Sequence, residues 1–166
     1  MKNMNSDLVA TRYASPLGLM LLAASDQGLA GIWFEGQRHG PQSPTWPQAP
    51  EHPVLQLAVQ QLGAYFAGTR THFELPLDLT RGTPFQQSAW QALLAIPPGR
   101  TTSYAELGRR LGRPQAARAV GAAVGRNPVS IVVPCHRVLG TAGALTGYAG
   151  GLERKSALLR LEGALM

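Results

Sequence analysis

The chain is poor in cysteine, acidic residues and long apolar runs. A single cysteine, Cys135, among 166 residues excludes an internal disulfide and a zinc site built from several thiolates. The four histidines show no metal-ligand spacing, so we expect no bound metal. The early apolar run Leu17–Ala24 is too short to span a bilayer, and no signal peptide is expected. We therefore expect a cytoplasmic protein in a reducing compartment, with no membrane partner.

Acidic residues are scarce above all in the second half. The chain carries 15 Lys+Arg and 9 Asp+Glu, a net charge of +6. Residues 1–82 hold five basic and six acidic side chains, whereas residues 83–166 hold ten basic and three acidic ones. A half with this charge attracts polyanions, most commonly nucleic acid, although a merely soluble basic surface is the alternative. Hydrophobic residues make up 45%, which is enough for a core and excludes a disordered chain.

Apolar runs separated by turn residues predict an antiparallel meander near the start of the chain. Its strands are expected at Leu8–Ser15, Leu19–Ala24 and Leu29–Phe34. Five prolines between residues 35 and 53 predict a surface loop whose chemistry cannot be read. A helix is predicted over Val54–Ala67, followed by a further strand at Phe73–Leu79.

Capping signals dominate the second half. Thr83 and Gln86 form a predicted capping box for a helix that ends near residue 96. Ser103 and Glu106 repeat the pattern for a helix that ends at Gly112. These boxes predict a helical second half.

A pair of short helices is predicted next. A helix from Pro114 to about Gly125 follows the previous one after a glycine turn of three or four residues, which predicts a helix-turn-helix. Ser130–Val133 is predicted to be a short buried strand or extended segment, and a last helix covers Leu152–Glu162. We place a boundary between an N-terminal α/β domain, residues 1–80, and a C-terminal domain, residues 81–166.

Cys135 follows the apolar segment Ser130–Val133, with Pro134 between them. By itself such a cysteine is more often an inert core residue than a nucleophile. His136 can supply a base or a positive charge near the Cys135 sulfur, and Arg137 adds positive potential. Taken alone, the pair leaves both readings open.

The motif around Cys135 resembles one family. Pro-Cys-His-Arg-Val at 134–138, with Asn-Pro at 127–128 and Gly-Tyr-Ala-Gly-Gly at 147–151, is similar to the O6-alkylguanine-DNA alkyltransferases, also called methylated-DNA–protein-cysteine methyltransferases. The resemblance is dense over 82–163 and loose before it. It implies a mixed α/β (α+β) fold, with a small ribonuclease H-like antiparallel sheet and helix followed by a mostly helical C-terminal domain containing the helix-turn-helix. It also implies a monomer that acts on double-stranded DNA containing O6-alkylguanine, without a cofactor.

The resemblance implies a suicide reaction at Cys135. The thiolate takes the alkyl group from O6 of the damaged guanine, with O4-methylthymine as a further candidate, and the thioether product is not reversed. His136 matches the base that acts through a water molecule, and Glu162 matches the carboxylate that orients it. Asn127 matches the asparagine that organises the active-site turn. Tyr104 matches the tyrosine that meets the flipped guanine and helps to protonate it.

The resemblance also implies a base pocket and a DNA-binding helix. The pocket residues are Pro134, Val138, Tyr148 and Ala149. Arg118 matches the arginine that fills the space of the extruded base while its helix lies in the minor groove. The other predicted DNA contacts are Ala117, Ala119, Gly121, Tyr104, Arg109, Arg110, Arg113 and Arg126. Without the resemblance, Glu162 would read as an ordinary helix-end residue and the arginines as solvated charges.

Two other classes of function compete with repair. A lesion-binding or regulatory helix-turn-helix protein would not need Cys135, and the family's binding-only relatives replace that cysteine. A cysteine hydrolase using Cys135 and His136 would turn over repeatedly, but it leaves the basic helix pair unexplained.

Overall fold

The computed structural model describes residues 8–41 and 45–165, so that Pro44 of the predicted loop lies outside the described residues. The fold is mixed α/β. An antiparallel sheet of order β1-β2-β3 is formed by β1 (Val9–Ser15), β2 (Gly18–Ser25) and β3 (Gly28–Phe34). The predicted meander is therefore confirmed.

Strand β2 is buried on both faces. Successive side chains point to opposite sides of the sheet, and each side packs into a core cluster. Met20 and Leu22 belong to the main core, whereas Leu21 and Ala23 belong to a second cluster with Trp46. Residues 46–49 of the proline-rich loop lie against this second face. There, the rings of Trp33 and Trp46 stack at a centroid distance of 5.7 Å.

The helix α1 (Pro53–Phe66) confirms the helix predicted after the loop, but the strand predicted at Phe73–Leu79 is wrong. Only Leu77 forms a bridge, to Leu29 of β3. A ladder cannot continue past Pro76, which has no N–H to donate. The side chain of Gln61 on α1 instead bonds both backbone groups of Glu74, at 2.9 and 3.0 Å.

The second half contains four helices and a short strand pair. The helices are α2 (Pro84–Leu94), α3 (Tyr104–Arg110), α4 (Ala117–Gly125) and α5 (Leu152–Leu161). The parallel pair consists of β4 (Thr102–Ser103) and β5 (Val138–Leu139), and 3-10 turns cover Cys135–Arg137 and Thr141–Gly143.

The two predicted helix starts behave differently. At α2 the capping box is complete, since Thr83 Oγ1 accepts from Gln86 N at 3.1 Å and Gln86 Oε1 accepts from Thr83 N at 2.9 Å. At α3 Ser103 Oγ accepts from Glu106 N at 3.0 Å. The Glu106 carboxylate, however, pairs with Arg109 at 2.6 Å.

The predicted start of α4 at Pro114 is wrong, because this helix begins at Ala117. Residues 111–116 connect α3 to α4, so the connection is longer than the predicted turn. Gly112 turns the chain with φ +70°. Proline disfavours helical geometry in the residue before it, so Pro114 keeps Arg113 out of a helix.

The segment Ser130–Val133 is a buried turn rather than a strand. The residues that lead into this turn are hydrogen-bonded to the edge of β3: Ile32 N donates to Pro128 O at 2.8 Å, and Ser130 N donates to Ile32 O at 3.1 Å. The sheet of the first half thus anchors the chain leading to Cys135. Across the ranges 8–41 and 45–165, no helix has the length and apolar character needed to cross a membrane.

Candidate active site

A strained turn delivers Cys135 to the site. Ile131 has φ +74°, a left-handed conformation that is unfavourable for a β-branched residue. The buried side chain of Asn127 ties the turn together: Oδ1 accepts from Val129 N at 3.0 Å and Nδ2 donates to Val133 O at 2.7 Å. These two bonds offset the strain and fix where the chain turns into Cys135.

Cys135 is only 7% exposed. Burial raises its pKa, while a hydrogen bond from Asn127 and the positive charge of Lys155 act in the opposite direction. Because the net shift is upward, the sulfur carries its proton at neutral pH. A nucleophilic role therefore requires a base.

His136, the next residue in the chain, is fully buried. Its Nε2 lies 2.7 Å from Glu162 Oε2, and since a carboxylate only accepts, Nε2 carries the hydrogen. Nδ1 is therefore the basic nitrogen, and it is buried without a hydrogen-bond partner among the described residues. Burial lowers the pKa of His136 although Glu162 raises it, so the imidazole is neutral and able to accept a proton.

Four donors surround the Glu162 carboxylate. Arg137 Nε lies 2.8 Å from Oε1, and Arg137 Nη2 lies 3.0 Å from Oε2. Oε2 also accepts from Tyr65 Oη at 2.6 Å in addition to His136. Burial alone would raise the pKa of Glu162, but bonds from His136, Arg137 and Tyr65 lower it to about 2. The carboxylate is thus ionised and fixed.

A cavity of about 330 Å³ opens at Cys135. Tyr104, Tyr148 and Ala149 line it, and this volume is at the small end for ligand pockets. Burial raises the pKa of Tyr104 and of Tyr148, so both phenols keep their protons and can donate. Tyr104 Oη donates to Gly147 O at 3.5 Å.

Two predicted pocket residues, Pro134 and Val138, are not among the residues that line this cavity. Pro134 lines a different groove, beside His72 and Ile96. Val138 is fully buried, and its carbonyl accepts from Lys155 Nζ at 2.6 Å.

Lys155 was not expected at the site. It is fully buried, and Nζ also donates to the carbonyls of Thr146 at 2.8 Å and Gly147 at 3.2 Å. Burial lowers its pKa to about 8, partly opposed by Cys135. The ammonium joins two segments near the cavity, but one lysine in a predicted helix gives no signal of this.

The first half of the chain also reaches the cavity. Arg38 and His39, in the proline-rich loop, line it. Arg38 N donates to Ala149 O at 3.0 Å, and His39 has φ +60°. No pattern in the loop indicated this placement.

The predicted DNA-binding residues lie on or beside the α3–α4 pair. Ala117, Arg118 and Ala119 are exposed on α4, Gly121 is half-buried there, and Arg126 lines the cavity. Arg109 and Arg110 pair with Glu106, whereas the Arg113 guanidinium lies 5.3 Å from the Phe85 ring centroid. In the described part of the chain, no group of three His, Cys, Asp or Glu residues is arranged to hold a metal ion.

Two family models match the chain. The ribonuclease-like domain of 6-O-methylguanine DNA methyltransferase matches residues 8–79, and the DNA-binding domain matches residues 84–164. The methylated-DNA–protein-cysteine methyltransferase of Mycolicibacterium paratuberculosis is 51% identical over 148 residues, 89% of this chain and 88% of that protein. The Methanosarcina acetivorans protein of the same name is 45% identical over 153 residues, 92% and 96% of the two chains.

Solved structures agree with these matches. The crystal structure of Mycobacterium tuberculosis OGT in complex with DNA has a TM-score of 0.86 at 47% identity, covering 94% of this chain and 93% of that one. The O6-methylguanine-DNA methyltransferase of Pyrococcus kodakaraensis has a TM-score of 0.65 at 25% identity, covering 94% and 99%. With identity this high over nearly the full length, the chain belongs to the methylated-DNA–protein-cysteine methyltransferase family and is a DNA repair methyltransferase.

Proposed function

We propose that this chain repairs DNA stoichiometrically by moving the alkyl group of O6-alkylguanine onto Cys135. The observation that carries this proposal is the buried thiol in a base-sized cavity next to a neutral histidine held by an ionised carboxylate. Because burial keeps the thiol protonated, the reaction starts with a proton transfer from Cys135, through a water molecule, to Nδ1 of His136.

The transfer itself is an in-line displacement. The Cys135 sulfur forms a bond to the alkyl carbon while the bond from that carbon to O6 breaks, and its electron pair passes to guanine. A proton from the Tyr104 hydroxyl neutralises the leaving guanine, while Glu162 stabilises the positive charge on His136. The proton that His136 took from the thiol then passes through water to the Tyr104 phenolate, so both side chains end neutral. The product is a thioether, which no group in the site can hydrolyse, so each chain acts once.

Access to the base requires extrusion from the duplex. The exposed side of α4 carries Ala117 and Ala119, whose small side chains permit close approach to the minor groove. We propose that Arg118 on this face fills the space of the flipped base. Extrusion costs a few kcal/mol for a normal base and less for alkylated guanine, which pairs poorly. We further propose that α3 and α4 form a helix-turn-helix and that a domain boundary lies near residue 80. We also propose that the chain acts as a monomer in the cytoplasm.

Intact-protein mass spectrometry tests the proposal. Wild type and Cys135→Ser are incubated with excess duplex carrying O6-methylguanine, in parallel with an undamaged duplex. We expect wild type alone to gain one methyl group per chain, only with the damaged duplex, and then to stop. Binding of the damaged duplex without a mass gain would favour a lesion-binding protein. Repeated release of demethylated product without a mass gain would favour hydrolysis.

A further inference from the structure

A hydrogen bond crosses from the first half of the chain to the relay carboxylate. Tyr65 Oη on α1 lies 2.6 Å from Glu162 Oε2, although the two residues are 97 positions apart. Tyr65 is 2% exposed and packs against Phe66 and Phe73. Its hydroxyl therefore sits at a fixed place in the core.

The phenol of Tyr65 acts only as a donor here. Burial, followed by the negative charge of Glu162, raises the pKa of Tyr65 above its ordinary range. A phenol that keeps its proton donates to Oε2, the same oxygen that accepts from His136 Nε2. The tyrosine and the histidine therefore share one acceptor atom.

We propose that Tyr65 is a positioning residue of the alkyl-transfer site, which holds Glu162 and shares its charge so that His136 remains a neutral base. This inference rests on the proposed function and adds a role for the first half of the chain. The donors to Glu162 are divided accordingly: Arg137 holds both oxygens, while Tyr65 competes with His136 for one of them.

The sign of the effect follows from the charges around His136. Glu162 raises the pKa of His136, whereas burial and the positive charges of Arg137 and Lys155 lower it. The Cys135 thiol is next to His136 in the chain, and the Tyr148 phenol is close enough to feel the charges of Cys135 and Glu162. Removing the Tyr65 hydroxyl leaves more of the carboxylate charge for His136, so the pKa of His136 rises. A protonated Nδ1 cannot take the thiol proton, and the acid limb of the transfer rate therefore moves to higher pH.

Tyr65→Phe tests this role, with Tyr13→Phe as the matched control. Tyr13 also packs against Phe66, at a centroid distance of 6.5 Å, and loses the same hydroxyl. The rate of methyl transfer is measured between about pH 5 and pH 9 for each variant. We expect Tyr65→Phe to lower the plateau rate up to about tenfold and to shift the acid limb upward, while Tyr13→Phe retains the wild-type profile.

A double-mutant cycle with Glu162→Gln separates positioning from stability. If Tyr65 acts through Glu162, adding Tyr65→Phe to Glu162→Gln changes the rate less than about twofold. An unshifted pH profile, or the same rate loss in both backgrounds, would overturn the proposal.

The His136 titration supplies a readout that does not depend on the reaction. NMR titration of the His136 imidazole is expected to move to higher pH in Tyr65→Phe than in wild type. Identical titrations would overturn the role of Tyr65 even if the wild type transfers methyl groups. A wild type that transfers none, with the shift present, would refute the proposed function and leave the contact between Tyr65 and the relay intact.

Discussion

Two groups of positive side chains in the second half have different surroundings. Arg137 and Lys155 are buried, and each is held by defined acceptors: the Glu162 carboxylate and the Ile96 carbonyl for the arginine, and three carbonyls for the lysine. Arg109, Arg110 and Arg118 are exposed along α3 and α4. The excess of basic residues is therefore not a single surface property. Part of it builds the interior of the site, and part is available to a polyanion.

The difference has an energetic basis. A buried cation must recover its lost hydration from fixed acceptors, so its removal leaves those acceptors unsatisfied. An exposed arginine stays hydrated and contributes little to folding, but it can displace counterions from a nucleic acid. Substitutions in the first group should thus affect stability and chemistry, and substitutions in the second should affect only reactions on DNA.

Lys155→Met should give the largest effect. The carbonyls of Val138, Thr146 and Gly147 lose their common donor, and we expect the free energy of unfolding to fall by about 2–4 kcal/mol. Urea denaturation measures this loss. Arg160→Met is the control, since Arg160 is an exposed cation on the same helix. Equal stability of the two variants would break the distinction between buried and exposed cations.

Arg118→Ala should give a smaller effect that depends on the substrate. We expect methyl transfer from a duplex to slow about tenfold, by about 1.4 kcal/mol, while transfer from the free base stays at the wild-type rate. Arg160→Ala controls for the loss of one positive charge. Rates on both substrates are measured in parallel, and equal losses on the two would count against an arginine that replaces the flipped base.

Arg109→Ala combined with Arg110→Ala should have the smallest effect. Each free phosphate-binding arginine contributes about one to the slope of log affinity against log salt. Both arginines already pair with Glu106, so we expect the slope to change by less than about one per residue. Glu106→Gln, which frees them, should strengthen duplex binding. Weaker binding of that variant would show that the pairing orders the arginines rather than masking them.

Most local signals of the sequence were accurate, although the helix start predicted at Pro114 was wrong because that helix begins at Ala117. The capping box at Thr83 and the turns between the strands depend on residues that meet within a few positions, and the structure confirms both. Signals failed where a distant partner decides. The apolar run from Phe73 reads as a strand, yet the backbone of Glu74 is taken by the side chain of Gln61.

The site shows the same division. The motif at Cys135 and His136 indicated the chemistry, because the nucleophile and the base are adjacent in the chain. Glu162 was assigned by family resemblance alone, and the structure brings it to 2.7 Å from His136. Tyr65 and Arg38 had no signal, since their roles depend on how the first half packs on the second.

The sequence by itself determined the mixed architecture, the positive charge of the second half and the nucleophile candidate. Periodicity, capping and motif residues act over short distances along the chain and can be read there. Only the tertiary structure decided the protonation of that nucleophile and its base, because the pKa of a buried group depends on what surrounds it in space. Burial leaves the Cys135 thiol and the His136 imidazole neutral, and partners from distant positions hold Glu162 ionised beside them.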